Sequence, residues 1–366
     1  MISTRGVARA AVAAALALLA AGAARAETHA PWPTNLNNWN DPALWVTVGN
    51  PGNAGEWSGQ SYGGYGLNRL CGEVAYTYNI GKYEVTAGQY TAFLNAVAKT
   101  DTYGLYNTSM SQTDVGSGIA RSGSSGNYAY SVDPAFVNRP VNYVSWGDSA
   151  RFANWLTNGQ GNGSTETGAY SLNGAVSEAD LLAVVVPSAA QRATWSNGAK
   201  PYFLLTSEDE WYKAAYYKND GVTGNYWDYP TSSNTAPGRD MADPLPGNNA
   251  NYVDYMAPYA YPIDSGKYTT VAGEFQNSDS PYGTFDQGGN IWEWNEAIID
   301  GSYRGLRGGS FIDLGDYLHA AFRNGYFPTI ENYSVGFRVS EVPEPATLAL
   351  LALGGAALVA RRKRRK

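Results

Sequence analysis

The stretch from Ser310 to His319 carries the side chains best spaced for proton chemistry: Ser310, Asp313, Asp316 and His319. A histidine close to an aspartate can serve as a hydrolytic general base. No nucleophile stands out beside that pair except Ser310, which sits in an Arg307-Gly-Gly-Ser-Phe311 turn and reads as structural. The rest of the reactive inventory is small. The chain has one Cys, Cys71, and two His, His29 and His319. One thiol excludes a disulfide scaffold and a multi-cysteine zinc site, and two His exclude a three-His metal centre. Cys71 has no partner for an intramolecular disulfide and reads as a small buried residue. Arg307, Arg323 and Arg338 could clamp an anion, but read first as structural arginines paired with acids such as Glu293 or with loop carbonyls. A second candidate face is aromatic: Tyr303, Phe311, Tyr317, Phe322, Tyr326, Phe327 and Tyr333, with Asn324 and Asn332 among them. Such rings stack on sugar rings while amides bond the hydroxyls. The candidate ligand-binding residues are therefore Tyr303, Arg307, Asp313, Tyr317, His319, Arg323 and Tyr326. Trp292 and Trp294 read as core.

The elements that must hold these groups are few. Val74, Tyr76, Tyr78 and Ile80 alternate with polar or small residues, so 74–83 is expected to be a half-buried strand. Three helix starts share one capping chemistry: Thr86 with Gln89, Ser145 with Asp148, and Ser207 with Glu210. Each precedes a short amphipathic run of about 10–12 residues. The intervals 101–138, 157–200 and 218–283 are rich in Gly, Ser, Thr, Asn and Asp and read as long ordered loops. Short strand-like pieces follow at Gly305–Phe311, Ala320–Arg323 and Ser334–Val339. The expected class is α+β with little regular secondary structure.

The composition, 44% hydrophobic with 28 Tyr and 11 Trp, excludes a disordered chain. The net charge of −7 hides a split. Both ends are basic, and residues 27–340 hold 16 basic against 30 acidic residues, a net −14. An acidic domain does not seek a phosphate backbone, so nucleic acid is not an expected partner. Cations or neutral polar ligands suit it better. Residues 1–26 have a basic start, an apolar run and an Ala24-Arg25-Ala26 cleavage site, the pattern of a secretory signal peptide. Residues 27–73 read as an irregular N-terminal segment. The C-terminal 342–366 joins Val342-Pro-Glu-Pro345, an apolar stretch 346–360 and six basic residues. Its fifteen apolar residues fall short of the ~20 of a stable span, and the basic cluster should stay cytoplasmic. These three parts in order resemble the PEP-CTERM sorting signal of Gram-negative bacteria that make exopolysaccharide. That resemblance implies processing by an exosortase, transient inner-membrane insertion through 346–360, and delivery to the outer surface or extracellular matrix.

Across 74–340 five motifs occur in order: Ile80-Gly-Lys-Tyr-Glu-Val-Thr86, Pro140-Val-Asn-Tyr-Val-Ser-Trp146, Ser207-Glu-Asp-Glu-Trp-Tyr-Lys-Ala-Ala215, Gly288-Gly-Asn-Ile-Trp-Glu-Trp294 and Arg307-Gly-Gly-Ser-Phe311, with Gly336-Phe-Arg-Val339 closing. Together they resemble the formylglycine-generating enzyme (sulfatase-modifying factor) family. The resemblance implies its fold, a C-type-lectin-like variant. Enzymes of that family bind copper through two cysteines shortly after Arg-Gly-Gly-Ser. Those positions fall near Asp313 and Leu318 here, neither a Cys, so copper is not expected and the chain reads as lacking the family's oxidase activity. Soft Cu(I) needs thiolates. The family's calcium chemistry could survive. The resemblance places one site at Asp286, Gly289, Ile291 and Glu293, and a second at Asn251, Tyr252 and Asp264. Calcium takes six to eight hard oxygens, which Gly-rich turns can supply as carbonyls. The expected role is a calcium-stabilised binding or structural module with a glycan or protein ligand. The competing reading is an enzyme of the family with replaced chemistry.

Overall fold

The three capping boxes close as expected. Thr86, Ser145 and Ser207 each accept from the amide three residues on, and Gln89, Asp148 and Glu210 each reach back. The computed structural model describes residues 38–342 apart from 40, 197–200, 257–262 and 265. The expected signal peptide at 1–26 and the C-terminal segment beyond Val342 lie outside the described residues. Among the described residues no helix is long and apolar enough to cross a membrane.

The described helices are α1 (Ala87–Val97), α2 (Trp146–Thr157), α3 (Glu178–Ala183), α4 (Ala189–Trp195) and α5 (Glu208–Tyr216). The strands are β1 (Trp45–Val48), β2 (Glu56–Ser58), β3 (Arg69–Cys71), β4 (Tyr78–Gly81), β5 (Ile119–Ser122), β6 (Ala129–Val132), β7 (Tyr202–Leu205), β8 (Trp292–Ile299), β9 (Tyr303–Arg307), β10 (Asn324–Tyr326), β11 (Val335–Phe337) and β12 (Val339–Val342). They form sheets in the orders β1-β4-β12-β7 and β10-β9-β8-β11, plus the two ribbons β2-β3 and β5-β6. Every residue of α2 is buried, so it is a core helix. Phe152 on α2 packs edge-on to Phe93 of α1 at 5.2 Å and to Phe337 of β11 at 5.3 Å, geometry that suits the ring quadrupoles. Trp292 and Trp294 are buried, as their motif indicated.

Several expectations change. Val74 and Tyr76 are buried as their alternation requires, but the strand covers only Tyr78–Gly81, where β1 and β12 supply partners. Ala320–Arg323 is not a strand; the carbonyls of Ala320 and Phe322 accept from the Arg307 guanidinium, and pairing starts at Asn324. The Ser334–Val339 piece splits at Arg338. β11 pairs with β8 in one sheet and β12 with β4 and β7 in the other. The helices α3 and α4 fall inside 157–200, read as loop. Their caps were legible: Ser177 and Ser188 each cap the amide three residues on, Asp180 and Gln191.

Candidate functional site

The turn before β8 is tight. Asp286, Gly289 and Asn290 all have positive φ, at 60°, 80° and 59°. Gly289 is required there, because a Cβ would lie 2.3 Å from the Asn251 carbonyl oxygen. The Asn290 amide donates to that same carbonyl at 2.8 Å. Asn290 then ties the region together: its Oδ1 accepts from Thr270 N and Asn251 Nδ2, and its Nδ2 donates to Glu84 Oε1 at 3.1 Å. The two predicted cation segments are therefore packed on one another.

Their carboxylates are engaged differently. Glu293 is fully buried and held by Arg338, with Nη2 to Oε1 at 2.8 Å and Nε to Oε2 at 3.0 Å, while Trp211 Nε1 donates to Oε2 at 2.8 Å. Asp264 is paired with Arg139. Ile291 is buried, and the Tyr252 hydroxyl donates to the Pro237 carbonyl. Asp286 accepts from the Gly273 amide. Its carboxyl is pushed up to about 7 by burial. Glu84, which sequence reasoning did not single out, is buried beside it. Burial, and then the charge of Asp286, push its carboxyl well up, and its Oε2 has no hydrogen-bond partner. Among the described residues no three His, Cys, Asp or Glu side chains gather as a metal cage. The second set fits a cation poorly, since Asp264 already has a guanidinium. In the first set Glu293 is likewise taken by Arg338, so what suits a cation there is Asp286 with the orphaned oxygen of Glu84, a residue outside the predicted set.

The predicted ligand face is partly an interior. Arg307 and Arg323 are buried and converge on Glu208, the first residue of α5. Arg323 binds Oε1 and Oε2 at 2.6 and 2.8 Å, Arg307 Nε binds Oε1 at 2.9 Å, and Arg69 binds Oε2 at 2.8 Å. Burial opposes ionisation of Glu208, yet Arg307, Arg323 and Arg69 outweigh it and draw the carboxyl down to about 2. Arg307 and Arg323 are thus spent inside the fold, paired with an acid and with loop carbonyls as their first reading expected, and assigning them to a ligand is corrected. Cys71 lies against the same cluster, its Sγ accepting from Arg307 Nη2 at 3.3 Å. Burial, and then the Glu208 charge, push its thiol up to about 12, so the thiolate that attacks or binds metal is suppressed.

A family model, the sulfatase-modifying factor enzyme 1-like domain, matches residues 72–342, and the PEP-CTERM protein-sorting motif matches 341–365. The chain belongs to the sulfatase-modifying factor family. No curated protein matches it. Solved structures similar to it include Treponema denticola variable protein 1 (20% identity, 82% of this chain and 95% of that one, TM-score 0.48) and CarF (19%, 81% and 97%, 0.46). PvdO from Pseudomonas aeruginosa is another (18%, 81% and 93%, 0.44). The fold is the formylglycine-generating-enzyme fold, and the sorting motif implies exosortase processing and export to the cell surface.

Within this family fold, the two positions counted on from Ser310 hold a half-buried Asp313 and a buried Leu318. The Asp313 carboxylate accepts from Ser310 Oγ. It does not serve His319, whose nearest acid is Asp228 at 4.0 Å. The His319 Nδ1 accepts from the Ala321 amide at 3.0 Å, the bond of a tautomer that carries its proton on Nε2. Tyr303 packs on Phe327 at 4.8 Å and Tyr317 on Phe322 at 4.3 Å. Tyr303, Tyr317, Phe322 and Tyr326 remain half-buried, and Phe327 is exposed. A groove of about 710 Å³ that was not anticipated lies between 168–175 and the α3–α4 segment, with Trp195 at one end.

One acid pair has a pH consequence. Asp148, in the α2 capping box, faces Glu331, which also accepts from Asn107. Burial pushes Asp148 up to about 6, and burial and then the Asp148 charge push Glu331 up to about 8. Asp101 faces both acids, and Arg151, the nearby cation, is bound to Glu166 at 2.7 Å. Both acids sit above their unfolded values, so the folded state binds more protons. The pair's contribution is complete below the unfolded carboxyl values near pH 4 and is lost as pH rises through about 6 and then about 8. Glu331→Gln keeps both hydrogen bonds and removes one charge. It should raise the melting temperature at pH 8 by roughly 2–4 °C, the shift from about 1 kcal/mol, and leave it unchanged at pH 4. A calorimetric pH series checks both points.

Proposed function

We propose that the protein is an exported, non-catalytic binding or structural module, stabilised by calcium and displayed on the outer surface or in the extracellular matrix of a Gram-negative bacterium. The observation that carries it is the thiol inventory. The single Cys71 is buried against Arg307 with its thiol held protonated, and Asp313 and Leu318 stand where the family's copper-binding pair would be counted. One such thiol does not fit a bis-thiolate copper centre. The test is incubation with a Cys-x-Pro-x-Arg peptide, copper and oxygen; the expected result is an unchanged peptide mass, and a formylglycine product would overturn the reading.

Calcium enters at the Gly288–Trp294 turn. Glu84 and Asp286 are two carboxyls pushed up by burial, and Arg338 is the nearby cation, already shared with Glu293. A divalent cation there lets both ionise and supplies the orphaned Glu84 oxygen with a partner. Adding calcium to protein stripped with EGTA should then raise the melting temperature, and by less in Glu84→Gln. A melting temperature indifferent to EGTA removes calcium from the proposal and leaves the non-catalytic reading standing.

A further inference from the structure

The ribbon β2-β3 is built inside out. Its inner face is mostly polar, with buried Cys71 the exception: Glu56 accepts from the Tyr212 hydroxyl at 2.7 Å, Ser58 donates to the Ala320 carbonyl at 2.9 Å, and Arg69 binds Glu208. Its outer face is apolar. Trp57 and Leu70 are directly opposed across the strands and stand 52% and 38% exposed. The loop between them adds Tyr62, Tyr65 and Leu67, at 47%, 48% and 70%. A strand pair normally turns its apolar side inward, and five large apolar side chains exposed on one short segment mark an interaction surface.

The surface is pre-formed. Gly64 sits so close to the 321 backbone that a Cβ would fall 1.7 Å from the Ala321 carbonyl oxygen. The Gly59 amide bonds that carbonyl at 3.0 Å, and Arg323 Nη1 holds the Leu67 carbonyl at 2.7 Å. Asn68 closes the loop, accepting from the Ser61 amide and donating to the Ser61 hydroxyl. A loop backbone fixed in this way loses little freedom on binding. The Trp57 and Tyr62 planes are 8° apart with centroids at 6.4 Å, a parallel stacked pair of exposed rings. The exposed side chains around them, Gln60, Ser61 and Asn68, are neutral hydrogen-bonding groups, and Arg69 is committed to Glu208 and Asp209.

We infer that the outer face of the β2-β3 ribbon is a carbohydrate-binding platform, with Trp57 and Tyr62 stacking on sugar rings of a neutral polysaccharide and the flanking amides and hydroxyls bonding its hydroxyl groups. Flat rings with a neutral polar rim match a molecule whose ring faces are apolar and whose edges are hydroxylated. A lipid surface fits less well, because interfacial binding draws on basic side chains around the apolar ones. A second copy fits less well too, since five side chains fall well short of the roughly 800 Å² per partner of a stable interface. The inference rests on the reading of the domain as a binding module.

The test is affinity electrophoresis of the purified protein in gels carrying hydroxyethylcellulose, dextran or a mannan, with cellulose and chitin pull-downs beside it. At least one of these polysaccharides should retard or capture the wild type. Trp57→Ala and Tyr62→Ala should each weaken that binding about tenfold, as loss of an anchoring aromatic does, while Trp57→Phe retains most of it. Unchanged melting curves show that the exposed substitutions leave the fold intact. Binding that survives both alanine variants overturns the platform while sparing the binding-module reading. Failure of every polysaccharide overturns the inference. So does Trp57-dependent binding to phosphatidylcholine vesicles, or Trp57-dependent dimerisation, without polysaccharide binding.

Discussion

Glu208→Gln is expected to lower the melting temperature by roughly 8–15 °C, the largest effect of any single substitution considered. The reason is the charge balance around one buried carboxylate. Arg69, Arg307 and Arg323 come from β3, β9 and the segment before β10, and all bind Glu208 at the start of α5. Arg69 also has Asp209, but Glu208 is the carboxylate that Arg307 and Arg323 share. Removing one partner of a buried ion pair costs about 3–5 kcal/mol, because the remaining charge stays desolvated. In a domain of this size each kcal/mol moves the midpoint by about 2–4 °C. Gln retains the shape and can accept one hydrogen bond, so the loss comes mainly from the charge. Differential scanning calorimetry measures it, and Arg323→Met in the Glu208→Gln background should recover part of it by removing one stranded guanidinium. A Gln variant that melts within a few degrees of the wild type would mean the cluster is solvated and does not anchor the fold. The depressed carboxyl also sets the acid limit. The stabilisation is fully present above the unfolded carboxyl value and is lost as pH falls through the folded value of about 2.

Glu208 also marks what could be read in the chain and what could not. Its helix start was legible, because a Ser207–Glu210 capping box is a contact between residues three apart. So were the buried alternation of Val74, Tyr76, Tyr78 and Ile80 and the core positions of Trp292 and Trp294. What Glu208 binds was not legible: its arginine partners lie 99 to 139 residues away in sequence. The same limit let Arg307 and Arg323 be placed on a ligand face as well as among structural arginines. The acid that claims them comes from another element. Glu84 escaped for the opposite reason. It sits inside a motif, just past the expected strand, and the missing partner of its Oε2 is visible only when Asn290, which binds its Oε1, and Asp286 are brought beside it. The inverted ribbon was hidden as well. Trp57 and Leu70 look like ordinary core residues until pairing shows them outward, opposite the face that meets Glu208.

Arg338→Met should be nearly as damaging, by about 3–5 kcal/mol, and it tests the fold and the proposed cation site together. Residue 338 is where the chain leaves β11 in one sheet and enters β12 in the other. Its guanidinium reaches β8 through Glu293, β4 through the Gly81 carbonyl at 2.8 Å, and the turn before β8 through the Phe285 carbonyl at 2.7 Å. It is also the cation facing three acids, Glu293, Glu84 and Asp286. Met fills the space but strands Glu293 without a counter-charge, so Glu293→Gln in the Met background should restore part of the loss. A double-mutant cycle on melting should give a coupling of at least about 2 kcal/mol, within the range for contacting buried charges. Calcium separates the two roles of Glu293. If Arg338 is its true partner, the Met variant should gain more from added calcium than the wild type does, because a cation then meets an unpaired carboxylate. Equal gains would show that calcium and Arg338 act on different oxygens, confining the cation to Asp286 and Glu84. A coupling near zero would show that Glu293 does not depend on Arg338 and is free to serve as a metal ligand.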